Sequence, residues 1–198
     1  MNTTEKITQL AEKNMNRARE VVKKLDVEGV WRSIGAKVNL VGSLKTGLLV
    51  KHRDIDFHIY TPELSISESF RAMAKIASNP MVQRVEYGNL IDTGEACIEW
   101  HAWCTDQDGA TWQIDMIHIL EGSQFDGFFE NVAERIAAAL TPETKSAIMR
   151  IKYDTPESEK IMGIEYYVAV LRDGVRSWPE FELWRANNPP AGIVLWVP

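Results

Sequence analysis

Cysteine is almost absent from this chain: two residues in 198, Cys97 and Cys104. Both fall in one strand-like stretch, on opposite faces and roughly 23 Å apart at strand rise, too far to bridge within it. A reduced, cytoplasmic protein is the simplest expectation. The four histidines, His52, His58, His101 and His118, follow no zinc spacing, and the two cysteines do not complete one. Long apolar runs are missing too. Nothing approaches the ~20 residues needed to span a bilayer, and the N-terminal stretch, rich in Glu, Lys, Asn and Arg, lacks the apolar core of a signal or transit peptide. No membrane partner is expected. There is no Walker A sequence, no Gly-x-Gly-x-x-Gly fingerprint, no Gly-x-Ser-x-Gly elbow and no internal repeat. Positive charge is also in short supply: 22 Lys and Arg against 28 Asp and Glu give a net charge of -6. That balance disfavours a protein that grips nucleic acid through a broad basic surface.

What is present is enough apolar material, 45% of the residues, to bury a full core and carry one domain with an appended helical unit. Ile7, Leu10, Ala11, Met15, Ala18, Val22 and Leu25 recur at helical spacing, with Asn2 and Glu5 placed as an N-cap pair. A strand is expected over 35–41, and a crossover helix over 65–78 stopped by Asn79-Pro80. Three strand-like segments follow at about 82–91, 96–104 and 111–119, divided by Asp92-Thr93-Gly94 and Asp106-Gln107-Asp108-Gly109, both suited to hairpins. The fold class is therefore α/β in the α+β sense, a mixed sheet over residues 1–122. From about 123 the pattern turns helical, giving a segment 123–198. Asp126 is placed to cap its first helix, Thr141-Pro142 to start a second, Gly163 to Leu171 to form a third, and Ser177-Trp178-Pro179-Glu180 has capping-box spacing for a fourth.

Chemistry concentrates in residues 41–60. An apolar run ends at Gly42-Ser43, a short linker carries Lys45, Lys51, His52 and Arg53, and the chain then alternates as Asp54-Ile55-Asp56-Phe57-His58-Ile59-Tyr60. Period-two alternation puts both carboxylates on one strand face, α-carbons roughly 6.7 Å apart, where inward-leaning side chains can share hard cations. Two ionised aspartates this close repel unless a cation neutralises them. Gly42 and Ser43 suit a tight turn whose backbone N–H groups and hydroxyl face a phosphate. A third aspartate, Asp115, sits in an otherwise apolar strand, Trp112 to Ile119, where an unpaired carboxylate is costly to bury. On the residues alone, Asp54 and Asp56 also fit the solvent face of an edge strand, Gly42-Ser43 an ordinary helix start and Asp115 a twisted strand end.

Gly-Ser, about ten residues, Asp-x-Asp and a later strand-borne aspartate, taken in that order over roughly residues 35 to 120, resemble the signature of the DNA polymerase beta-type nucleotidyltransferase superfamily. The resemblance implies that Gly42 and Ser43 hold the triphosphate of a nucleoside triphosphate. It implies that Asp54, Asp56 and Asp115 bind magnesium, two ions being expected, and carry catalysis. It further implies that a basic residue of the helical portion reaches back to the phosphates, for which Lys145 and Lys152 share a helix face. Lys45 is a second nucleotide-binding candidate. Glu99, alternating with His101 and Trp103, is a candidate base toward the acceptor hydroxyl or else a plain surface carboxylate.

The expected activity is transfer of a nucleoside monophosphate to an acceptor, with pyrophosphate released. The expected acceptor is a small hydroxyl-bearing molecule, because the cations are too few to track a strand of phosphates, and the chain is similar to small antibiotic nucleotidyltransferases. Tyr153, Tyr166, Tyr167 and Trp178 are candidates to pack against a ring. Two alternatives stand: a minimal nucleotidyltransferase that modifies protein, and a catalytically silent nucleotide-binding module. The apolar tail from Ile193 to Val197 and the late aromatics fit core packing or a homodimer contact.

Overall fold

The N-terminal cap shows how local chemistry sets the architecture. The Asn2 side chain accepts from Glu5 N at 2.9 Å while the Glu5 carboxylate accepts from Asn2 N at 2.9 Å, closing the first turn of α1 (Thr3–Leu25). In this computed structural model, which describes residues 2–189 and 192–198, α1 ends at Asp26, a left-handed residue with φ 49°. A short α2 (Val27–Arg32) follows at once. Only the pair Val27 and Trp31, one helical turn apart and both buried, marked α2 in the sequence.

Next come β1 (Lys37–Leu40), α3 (Gly42–Thr46), β2 (Asp54–Thr61), α4 (Ile66–Ala77), β3 (Val82–Asn89), β4 (Cys97–Thr105) and β5 (Thr111–Leu120). The five strands form one mixed sheet in the order β1-β2-β5-β4-β3. β2 and β5 run parallel and the other neighbours antiparallel, as a parallel pair needs a crossover and the meander does not. Odd positions of β2 and even positions of β5 (Ile55, Phe57, Ile59, Ile114, Met116) pack with Trp100, Ala102 and Trp112 against α1, α2 and α4 in the larger core. The opposite parity, which includes Asp54, Asp56 and Asp115, is left facing the helical segment.

That segment comprises α5 (Phe128–Ala139), α6 (Pro142–Asp154), α7 (Gly163–Tyr167), which continues as a π-helical turn Val168–Arg172, and α8 (Trp178–Asn187). It has its own core of Ile148, Ile151, Tyr166, Ala169 and Phe181, to which α1 lends Ile7 and Ala11 and the linker before β2 lends Leu48 and Val50. Hence α1 is shared by both cores. The apolar tail lies on its own chain, with Trp196 and Val197 packed against this second core. α5 is fixed to the sheet by Glu130, which accepts from Asn39 Nδ2 and from the Tyr60 hydroxyl, each at 2.9 Å. Burial opposes that carboxylate's charge, yet the hydrogen bonds hold it down to about 2.

Three local expectations are corrected. Asp126 does not cap α5: the cap is Gly127 at φ 69°, and Asp126 instead accepts from Gly122 N at 2.9 Å. Ser177 begins α8 without a side-chain cap, because Glu180 accepts from Arg176 N at 2.7 Å, one residue earlier than a capping box requires. The helix over 163–171 widens into a π turn after Tyr167. Among the described residues, no helix is long and apolar enough to cross a membrane.

Candidate active site

Strand parity and register assemble the acidic half of the site. Asp54 pairs across with Gln113, and Asp56 with Asp115, on the parallel β2–β5 pair. All four side chains therefore rise from the same sheet face. β1 delivers the other component: Val41 N donates to Asp56 O at 2.9 Å, and the chain turns at once through Gly42 at φ 64°. A Cβ built on Gly42 would run into the Asp56 carboxylate, so close approach and positive φ both demand glycine there. Ser43, buried beside it, opens α3.

The basic half comes from α6. Lys152 is 7% exposed, and its ammonium donates to Ser43 Oγ at 2.6 Å and to Leu48 O at 3.1 Å. Tyr167 OH lies 3.2 Å from Ser43 Oγ and 3.5 Å from Lys152 Nζ. A lysine this deep is tolerated because acceptors surround it and the carboxylates lie close enough to bias its field. Opposite it, Asp56 is held well above the ordinary carboxylate range, first by burial, then by repulsion from Asp54 and Asp115; Lys152 and the Ser43 backbone N–H pull the other way without winning. His52 is kept below its usual value by burial, despite Asp54, and so is neutral at pH 7.

Asp115 is already partnered on one oxygen. Oδ1 lies 2.5 Å from His101 Nδ1 and accepts from Gln113 Nε2 at 2.8 Å, leaving Oδ2 with no hydrogen-bond partner among the described residues. The Asp115 hydrogen bond raises His101 above its usual value, burial opposing. His101 Nε2 in turn lies 3.3 Å from Glu99 Oε1, so Glu99 is linked to Asp115 only through His101.

The donor set fits a hard divalent cation. It offers three carboxylates, one of them driven toward protonation by burial and by the other two, in a cradle that a single methyl group would fill. Among the described residues no three acidic, His or Cys side chains are drawn into a ready coordination group.

Two chambers meet at this point. One, about 430 Å³, is lined by Ser43, Lys51, Arg53, Asp54, Asp115, Lys152, Lys160 and Tyr166. The other, about 450 Å³, shares Ser43, Asp54 and Asp115, adds Asp56, and is walled by apolar residues such as Phe129, Ile136 and Tyr167. Lys45 is exposed and lines neither, as does Lys145, whose ammonium lies near Gly47. Trp178 packs on Phe181 within the helical core at 5.9 Å between ring centres. Tyr166 stacks on Phe181 at 4.7 Å. Lys160, in an irregular loop with no periodicity to mark it, was not singled out by the sequence.

No protein-family model matches the chain, and no curated protein does. Solved structures do match in fold. The Cid1 poly(U) polymerase with MgGTP bound superposes with a TM-score of 0.57 at 15% identity, over 85% of this chain and 56% of that one. A cytoplasmic RNA terminal U-transferase gives 0.52 at 15%, over 84% and 53%. A chain of the GLD-2/RNP-8 complex gives 0.57 at 10%, over 84% and 59%. The chain thus has the polymerase beta-like nucleotidyltransferase fold, and spans little more than half the length of these neighbours. They overturn the expectation of a small-molecule acceptor with nucleic acid disfavoured, because proteins of this fold are named for RNA and one for a protein complex. The physical reason is that net charge sums over the whole surface, while a reacting nucleotide meets only local groups. Here Lys51, Arg53, Lys152 and Lys160 converge on one cleft in a chain of charge -6.

Proposed function

We propose that this chain is a magnesium-dependent nucleotidyltransferase that moves a nucleoside monophosphate from a nucleoside triphosphate to a hydroxyl, releasing pyrophosphate. The observation that carries it is the opposition, across one cleft, of three clustered strand carboxylates and a buried Lys152–Ser43 pair. Residues 1–122 would supply the carboxylates and Gly42-Ser43, and residues 123–198 the lysine and the roof.

In this assignment Asp54, Asp56 and Asp115 hold magnesium. When bound, the metal supplies positive charge to phosphoryl and attacking oxygens and so lowers the barrier to in-line displacement. Lys152 neutralises phosphate charge from the opposite wall, and Ser43 Oγ donates to a phosphate oxygen once the triphosphate displaces its present partners. Asp115 Oδ2, the oxygen that His101 and Gln113 leave open, accepts the proton of the acceptor hydroxyl. Lys45 and Glu99 take no direct part. We carry an RNA 3′ hydroxyl over from the neighbours as the acceptor.

Pyrophosphate release from each of the four ribonucleoside triphosphates, with and without magnesium, tests the assignment, with Asp56→Asn as the inactive control. Release that is independent of magnesium or unchanged in Asp56→Asn would refute it. One observation favours a silent nucleotide-binding module instead: His101 and Gln113 already engage Asp115. That alternative predicts nucleotide-dependent thermal stabilisation with no pyrophosphate from any triphosphate.

A further inference from the structure

Beyond the carboxylate cleft lies another cavity, about 690 Å³, between α6 and the open half of the sheet. Trp103 of β4 and Tyr153 of α6 both line it, and Lys51, His52, Arg53 and Gln113 are common to it and the cationic chamber. The two spaces therefore join at Gln113, whose amide donates to Asp115 Oδ1.

Trp103 is the unexpected residue here. It sits half-buried on the polar face of β4, and the Arg84 guanidinium lies over its ring at 4.3 Å, held by an ion pair with Glu86. An indole braced in this way is a fixed aromatic platform of the kind unstacked bases use. The cations differ in availability. Arg53 is exposed and makes no ion pair among the described residues, whereas the Lys51 ammonium already donates to Thr155 O. Glu157 is the acidic residue in this lining. Two cations against one acid serve one or two phosphates, far short of a strand-long track. The same balance disfavours a duplex, whose bases are already stacked.

We propose that this cavity is the acceptor subsite and takes the last one or two nucleotides of a single-stranded RNA. Terminal bases pack against Trp103 and Tyr153, and a phosphate lies against Arg53 and Lys51. The proposal rests on the nucleotidyl transfer argued above. In that transfer the 3′ oxygen forms a bond to the α-phosphorus, the bond from that phosphorus to the β-phosphate bridging oxygen breaks, and pyrophosphate departs with the electron pair. The hydroxyl proton passes to Asp115.

The test uses the full chain with fluorescein-labelled hexauridylate and hexaadenylate, each with a free 3′ hydroxyl and also as a 3′-deoxy form. Binding is read by anisotropy and extension by gel. Expected for the parent is binding of both forms and extension of the 3′-hydroxyl form alone. Trp103→Leu and Arg53→Gln should each raise Kd and the oligonucleotide KM about tenfold, with the KM for triphosphate unmoved and a shallower salt slope in Arg53→Gln. Should Trp103→Leu fold poorly, the exposed Arg53 and the variant Tyr153→Leu carry the same test. Parent-like Kd in all the variants, no RNA binding by the parent, or preference for a blunt duplex overturns the subsite. Pyrophosphate release without RNA binding overturns the subsite alone. RNA binding weakened as expected but with no pyrophosphate from any triphosphate keeps the subsite and overturns the transfer.

Discussion

The two walls of the cleft are built on different physical terms. The sheet wall buries and stacks like charges: Asp54, Asp56 and Asp115 rise from adjacent, register-paired strands, and burial first, then repulsion from its two neighbours, leaves Asp56 a carboxylate that resists ionisation. The helical wall satisfies its charge: Lys152 is buried but has Ser43, Leu48 and Tyr167 around it. In the proposed assignment a cation would relieve the first wall, and a phosphate would compete for the donors of the second, so the site would draw on one wall that costs stability and one that does not.

The sharpest way to break the comparison is to neutralise the frustrated wall. Asp56→Asn should cut magnesium-dependent pyrophosphate release by at least about 100-fold, the scale seen when one charge-stabilising group is removed. It should also raise the melting temperature of the metal-free protein by relieving repulsion. Asp115→Asn should lose turnover more than nucleotide affinity. A metal-free Asp56→Asn protein that melts below the parent would mean the carboxylates are not in conflict.

The settled wall should respond in the opposite sense. Lys152→Met keeps the stem but leaves Ser43 Oγ only Tyr167 OH as a side-chain partner and removes a charge-assisted donor, worth about 1.5–3 kcal/mol. Nucleotide Kd should weaken about tenfold or more by calorimetry, and the Asp56 carboxyl should move further up, because Lys152 is one of the two groups that lower it.

The pH dependence of stability sharpens the same contrast. Asp56 has a raised folded-state value, so between the ordinary aspartate value near ~4 and that raised value the native state binds more protons than the unfolded one. The stability that protonation contributes is fully present below the unfolded value and is lost as pH rises through the folded one. Melting temperature without metal should therefore fall over that window as pH rises, and added magnesium should flatten the fall. Glu130, held down to about 2 by its hydrogen bonds, contributes stability present above the unfolded value and lost only in strong acid. The two groups are thus separable by where their slopes appear.

How much of this could be read from the chain follows the same division. That Asp54 and Asp56 share a face was legible because a period of two fixes it within one strand, whereas Asp115 was named through the resemblance and joins that face only through the β2–β5 register. Lys152 could be placed on a helix face, but its bond to Ser43 spans 109 positions, and only the tertiary placement of α6 determines it. Nothing in the sequence announces that Glu130 ties α5 to Asn39 and Tyr60, or that Arg84 braces Trp103. Those contacts depend on strand pairing, which sets β1 beside β2 and β3 beside β4. The acceptor expectation failed for a related reason: -6 is a whole-chain sum, and the cations that matter are gathered by folding.

The smallest effect concerns two helix starts that look alike in sequence. Thr141-Pro142 and Ser177-Trp178-Pro179 both offer a hydroxyl cap with proline in the first turn. In the first, Thr141 accepts from Thr144 N at 3.2 Å, and Thr144 Oγ1 accepts from Thr141 N at 2.9 Å, a reciprocal pair. In the second, the Ser177 side chain caps nothing, since the Glu180 carboxylate is drawn one residue upstream to Arg176 N. Thr141→Ala should cost about 1 kcal/mol by urea unfolding, the usual loss of a working cap. Ser177→Ala should stay within about 0.5 kcal/mol of the parent. Equal losses at the two positions would show that Ser177 takes up its cap in solution, with Glu180 turned back toward α8.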